Sequence, residues 1–268
     1  MKKNAILVLL LFVGLAVPIL AHDLFIKADS FFLQPQSKVT LKIMNGTFLA
    51  SEGAIAYARV NDASFVAAGK TTRPTEKDFI KDETMTRLNL QTGAAGTGIV
   101  GISMKPREIE LKAEQFNEYL KEDGLPDTLE ERRKNGELEK DAKEQYAKHV
   151  KAILQIGDKR TDDYKTILNY PVELVPQQNP YNLKSGDSIE VLCLKDGKPF
   201  ASQVVLAGRE TAGKLAFAPE LRSDAKGLVK VKLDGAGKWY VKFINMTKLD
   251  DANLDYESKW TTLTFEIR

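Results

Sequence analysis

Short apolar runs of alternating character, closed by Gly, Asn and Asp turns, occupy both ends of this chain and point to antiparallel β structure. Val39, Leu41 and Ile43 alternate with Thr40, Lys42 and Met44 up to Asn45-Gly46, the period of two that places one face of a strand in a core. Residues 54–60, 64–68, 85–90 and 98–104 are further candidate strands, with turns such as Asn61-Asp62 and Gln91-Thr92-Gly93 between them. Near the other end, 188–194 and 200–207 flank Lys195-Asp196-Gly197-Lys198-Pro199, which predicts a turn between paired strands. Leu228, Val229, Val231 and Leu233 lead through Asp234-Gly235 to 239–244. The last run alternates Thr261, Leu263, Phe265 and Ile267 with Thr262, Thr264 and Glu266. The expected fold is mainly β: two immunoglobulin-like antiparallel β-sandwich domains, at 22–105 and 170–268.

Between them the pattern changes. Lys105-Pro106 opens a stretch rich in Glu, Lys, Ala, Leu and Arg, and 106–157 is expected to be a helical insertion. Phe116, Tyr119 and Leu120 form one apolar face before Gly124-Leu125-Pro126 interrupts it, and Asp127-Thr128 is a candidate cap for the next helix. A third helix is predicted over 137–154, where Leu138, Ala142, Tyr146, Val150 and Ile153 make one stripe and the charged residues a solvated face.

Composition removes several functions. The 268 residues leave room for two domains with cores. With 39 Lys+Arg against 37 Asp+Glu there is no basic surplus to displace counterions from nucleic acid. The single cysteine, Cys193, can form neither an internal disulfide nor a Cys-rich metal centre, and its strand-like setting predicts a buried thiol. Only His22 and His149 can supply imidazole.

Lys2 and Lys3 precede an uncharged apolar run from 5 to 20 and then Ala21, the tripartite pattern of a secretory signal peptide over 1–21. A periplasmic location is therefore expected. Cleavage after Ala21 removes two lysines and no acid, which balances the charges, and makes His22 the first residue.

Several segments in order resemble a known family of exported bacterial proteins. They are His22-Asp-Leu-Phe-Ile26, Phe116-Asn-Glu-Tyr-Leu-Lys-Glu-Asp-Gly124, Glu144-Gln-Tyr-Ala-Lys148 leading into Lys151-Ala-Ile-Leu-Gln-Ile-Gly157, Val172-Glu-Leu-Val-Pro-Gln-Gln-Asn-Pro-Tyr181 followed by Gly186-Asp187 and Asp196-Gly-Lys-Pro199, and the closing Trp260-Thr-Thr-Leu-Thr-Phe265. The family is domain of unknown function 4198. The resemblance implies a periplasmic protein with immunoglobulin-like β domains and a helical insertion, carrying a label of nickel or cobalt uptake. It implies no catalytic residue.

The residues themselves narrow the chemistry. An N-terminal His22 would offer an α-amine and an imidazole together, a bidentate nitrogen chelate for Cu, Ni or Co. His149 is the only residue that could add a second imidazole, and its place beside the apolar stripe also suits a histidine hydrogen-bonded within the protein. Gly96-Thr-Gly98-Ile-Val-Gly101 spells a dinucleotide fingerprint but leads into a strand rather than a helix, so no cofactor is expected. Asp250, Asp251 and Asp255 lack the spacing of a calcium loop and predict a solvated turn. Asn45-Gly-Thr47 and Asn245-Met-Thr247 spell glycosylation sequons. The expected function is non-enzymatic: metal ligation at His22, with or without His149, and delivery to an envelope metal transporter or another membrane protein. A β-sandwich module that binds a protein or carbohydrate partner without metal is the alternative. A copper oxygenase with a brace of both histidines is a third.

Overall fold

The computed structural model describes residues 22–268; the segment 1–21, read above as a signal peptide, lies outside the described residues. The first half carries β1 (Asp23–Lys27), β2 (Phe32–Leu33), β3 (Lys38–Gly46), β4 (Val60–Ala67), β5 (Lys70–Thr72), β6 (Phe79–Lys81), β7 (Thr86–Gln91), β8 (Gly96–Met104) and β9 (Arg107–Leu111). Two helices follow, α1 (Ala113–Glu122) and α2 (Pro126–Lys134), and then the long strand β10 (Ala142–Ile156). The second half has β11 (Val172–Pro176), β12 (Ser188–Lys195), β13 (Lys198–Pro199), β14 (Val204–Thr211), β15 (Lys214–Phe217), β16 (Leu221–Arg222), β17 (Leu228–Lys232), β18 (Gly237–Lys248) and β19 (Tyr256–Ile267). The chain is mainly β with antiparallel sheets and a helical pair between its halves, as the alternating runs predict.

The two halves share one sheet. Its order is β15-β14-β18-β19-β10-β8-β4-β5, with β16 on β14 and with β2 and β9 on β10. At the seam β10 and β19 run parallel, from Glu144 opposite Tyr256 to Ala152 opposite Thr264. Sheet β1-β3-β7-β6 and sheet β11-β12-β13, with β17 on β12, are the outer layers. Thr262 and Thr264 of β19 donate to the carbonyls of Leu24 and Ile26 on β1. Lys151, opposite Leu263 in the seam, reaches Glu173 on β11 instead. Adjacent strand residues point to opposite faces, so the outer sheets cover opposite sides of the shared one.

That arrangement corrects the helix expected over 137–154. Residues 142–156 are the central strand β10, and the end of the supposed insertion is β structure. Ala142, Tyr146 and Val150 lie four apart, a spacing that keeps side chains on one face of a helix and equally on one face of a strand. From Ala147 to Ile156 every residue is buried, because both faces are covered, and no polar alternation marks a strand. Three charged residues read as part of a solvated face are inside: Glu144, Lys148 and Lys151 are buried, while Glu139, Lys140, Asp141 and Lys143 are exposed.

Two smaller differences follow the same logic. The predicted turn at Asp196-Gly197 forms, but its second arm is only Lys198–Pro199, after which the chain crosses to the shared sheet as β14. Asp127 does not cap α2; it clamps Arg222 with bonds of 2.7 and 2.8 Å, and Pro126 begins the helix. The apolar face of α1 is as expected, with Phe116, Tyr119 and Leu120 buried and Tyr119 stacked on Trp260 at 5.6 Å. The glycine run of β8 makes room for neighbours: a Cβ on Gly101 would stand 2.1 Å from Leu168 Cδ1. Among the described residues no helix is long and apolar enough to cross a membrane.

Candidate functional site

The region around His22 is built by the turn after β3. Gly46 pairs with Asp23 at the start of β1 and has a φ of +156°. The chain folds back so closely there that a Cβ would lie 2.5 Å from the Ala50 carbonyl oxygen, a space only glycine leaves open. The returning loop is fastened by Glu52 N–H donating to the Asn45 carbonyl at 2.8 Å. Its geometry sets the Glu52 carboxylate 3.4 Å from His22 Nε2.

His22 and Glu52 stand at a cavity of about 410 Å³ that also holds Asp23, Asp123, Tyr240 and Lys242. Lys242 Nζ bridges Asp23 Oδ2 at 2.5 Å and Asp123 Oδ1 at 2.8 Å. Burial alone would lower the pKa of Lys242, but the two carboxylates outweigh it and hold the ammonium charged. Burial also pushes Asp123 up to about 6, against the pull of Lys242. Asp23 Oδ1 is buried in the same place with no hydrogen-bond partner. From β10 in the sheet beneath, Lys148 Nζ donates to the His22 carbonyl oxygen and fixes the backbone at the chain's entry into β1.

The donor set suits a transition-metal ion in part. Ligand nitrogen and oxygen atoms each about 2.0–2.1 Å from one ion at a tetrahedral angle lie roughly 3.3–3.5 Å apart. The His22–Glu52 separation falls there. Among the described residues no three His, Cys, Asp or Glu side chains converge on a single point, so a complete site needs a donor from elsewhere. The α-amine that cleavage would create at His22 is such a donor.

His149 does not join this group. It follows Lys148 on β10, and because Lys148 reaches toward His22, the imidazole of His149 projects to the other face of the sheet. There its Nδ1 lies 3.0 Å from Ser103 Oγ and its ring 5.8 Å from that of Tyr170, while Nε2 is buried with no partner. Burial, with help from Lys259, lowers its pKa to about 4, so the ring is neutral. The shared sheet separates the two histidines, and the brace that needs both on one ion does not form. Cys193 is fully buried and its thiol is pushed up to about 12 by burial, in keeping with a structural thiol. Asp251 and Asp255 accept backbone N–H bonds in an exposed turn, as expected.

Sequence reasoning missed Glu52, Asp123, Lys148 and Lys242. Glu52 carries no periodic or spacing signal, and the pairing that buries Lys148 spans well over a hundred residues. The one local hint was Asp123-Gly124, where α1 ends with Gly124 at φ +76° and delivers Asp123 to the cavity.

A family model described as "Domain of unknown function (DUF4198)" matches residues 19–247. The Trp260–Phe265 run cited for the resemblance lies beyond that span. No curated protein matches the chain. Among solved structures, similarity is found to the D0-D1 domain of intimin, at 10% identity and a TM-score of 0.20, over 91% of this chain and 97% of that one. Trypsin-activated alpha-2-macroglobulin from Escherichia coli is similar at 10% identity and a TM-score of 0.25, over 92% of this chain and 16% of the other. A tetra-tandem repeat in the extending region of a large adhesion protein is similar at 11% identity and a TM-score of 0.22, over 92% and 50%.

Proposed function

The chain belongs to the DUF4198 family, and on that footing we propose that its mature form is an exported periplasmic protein that takes up a transition-metal ion at His22 and hands it to a partner in the envelope. The observation that carries this reading is the 3.4 Å approach of Glu52 to the His22 imidazole, at a cavity whose Asp23 Oδ1 has no partner. After cleavage at Ala21 the amine and imidazole of His22 chelate the ion through two nitrogens, and Glu52 adds an oxygen. Copper or nickel suits mixed nitrogen and oxygen ligation of this kind, and its square-planar geometry would draw the His22 and Glu52 atoms from 3.4 Å to about 2.8–3.0 Å. The ion is cargo; no reaction is assigned to the site. Phe217, 73% exposed on β15 and lining the same cavity, is a candidate contact for the receiving protein.

The test is calorimetric titration of the untagged mature protein with Cu(II), Ni(II) and Co(II). Tight binding is expected, lost in His22→Ala and when one extra residue precedes His22. Glu52→Gln is expected to weaken it by about tenfold, the scale of losing one charged contact. Failure of the authentic terminus to bind any of the three ions would overturn the proposal and favour a partner-binding module without metal.

A further inference from the structure

A second cavity, of about 380 Å³, opens on the other side of β1. Four cations face it, Arg59, Lys81, Arg107 and Lys148, and no Asp or Glu is among its lining residues. Among the described residues none of the four lies within 4.0 Å of a carboxylate. The acids nearest Lys148 on the His22 side, Asp23 and Asp123, are engaged by Lys242.

The cations are arranged by depth. Lys81 and Arg107 are exposed, at the rim, where β6 ends and β9 begins. Lys148 is buried; its ammonium gives one hydrogen bond to the His22 carbonyl and lies 5.0 Å from the centre of the Trp260 ring and 5.4 Å from that of Tyr146. An ammonium has three hydrogens, so donors remain. Arg59 holds the Lys105 carbonyl through one terminal nitrogen at 3.0 Å, while its Nε is buried without any partner. A buried N–H with no acceptor is unfavourable, so the protein carries a donor that a ligand would satisfy. The rest of the lining is Asn45, the face of Tyr146 and apolar side chains such as Leu24 and Met104.

We propose that this cavity binds a small soluble polyanion, a di- or tricarboxylate or a phosphate-bearing metabolite, held by Arg59, Lys81, Arg107 and Lys148. The volume is at the lower end of the range for small-molecule sites, which suits a compact acid. Arg59, Lys81 and Arg107 have no carboxylate close by, and Lys148 is opposed only beyond ion-pair distance by Asp23, Asp123 and Glu144. The cluster therefore calls for more than one negative charge, and a cavity of partly buried walls strengthens the attraction. The site does not depend on the metal reading: its ligands are not His22 or Glu52, and cleavage of the first segment does not create any of them.

The experiment is calorimetry and thermal shift on the mature protein with inorganic phosphate and with tricarballylate, at constant ionic strength, beside sedimentation with phosphatidylglycerol vesicles. At least one of the two small anions is expected to bind and raise the melting temperature. Lys81→Ala with Arg107→Ala, both exposed, is expected to weaken binding by more than tenfold, and Arg59→Met to do the same. Lys70→Ala, on an exposed edge strand, is expected to leave the affinity unchanged, as is His22→Ala. No binding of either anion, equal binding by the rim variant and the parent, or binding to vesicles alone would overturn the proposal. Loss of metal binding in His22→Ala with anion binding intact separates this site from the other.

Discussion

Glu144, Lys148, His149 and Lys151 follow one another closely on β10, and the layers on either side take all four out of water. Burial raises Glu144 to about 7, although Ser258 and Tyr119 donate to its carboxylate. A carboxyl whose folded pKa exceeds its unfolded one adds stability that is complete below about pH 4.5 and is lost as pH rises through 7. His149 has the opposite sign: its pKa is depressed to about 4, so its contribution is present above pH 6.5 and is lost as pH falls through 4. Relative to the parent, whose His149 contribution runs the other way, Glu144→Gln is therefore expected to gain urea stability as pH rises from 5 to 7, by roughly 3 kcal/mol at most. A variant whose profile follows the parent would show that Glu144 does not titrate there. Lys151 and Glu173 form an ion pair of 2.9 Å with both side chains buried, and Glu173 also accepts from the backbone of Leu168 and Tyr170. Glu173→Ala strands a buried ammonium and is expected to cost about 3–5 kcal/mol in chemical denaturation. None of these environments is legible locally, since the burial of each residue comes from strands distant in sequence.

At the scale of elements, strands marked by polar alternation or closed by turn residues were readable, even the fully buried β8, whereas β10, covered on both faces and continuing a charged helical stretch, was not. β3 shows the first kind: Leu41 and Ile43 are buried, and Thr40 and Lys42 look outward. β10 shows the second, since the apolar stripe read for a helix there is one side of a strand. β8 is buried throughout, and its glycines admit Leu168 and the rings of Phe65 and Tyr170 close to the strand. Gly101→Ala is expected to destabilise the fold by about 1–3 kcal/mol, measured as a shift of the denaturation midpoint, because its methyl needs space that Leu168 and Tyr170 occupy. The helices were readable where an apolar face met a glycine stop. Their tie to the rest was not: Arg132 of α2 is buried over the Phe116 ring and donates to the carbonyls of Glu137 and Lys140.

For the whole molecule, β19 is the strand on which the halves depend. It pairs with β18 on one side and β10 on the other, while β1 and β11 cover its two faces. Removing 256–268 is expected to abolish cooperative unfolding of the entire chain, including the first half, as followed by circular dichroism on heating; a truncated protein that keeps a folded first half would show that the seam is dispensable. The same seam places both cavities. Lys148 lies on the face toward β1, touches the His22 backbone and lines the cationic cavity, so one residue of a central strand stands between the acidic site and the basic one.

Local spacing by itself determined the β class, the outer strands and the inert setting of Cys193 through alternation, and the apolar face of α1 through its helical period, because each depends on neighbours a few residues away. The export pattern and the pairing of amine with imidazole at His22 belong there too, as expectations read from order alone. Only the tertiary structure decided that 142–156 is a strand, that His22 and His149 face different layers, and that Glu52, Asp23, Arg59 and Lys148 gather around β1. Those facts come from pairing between distant segments, where a two-residue period sends consecutive side chains to opposite sides and burial from both sides erases the polar rhythm that would have revealed it.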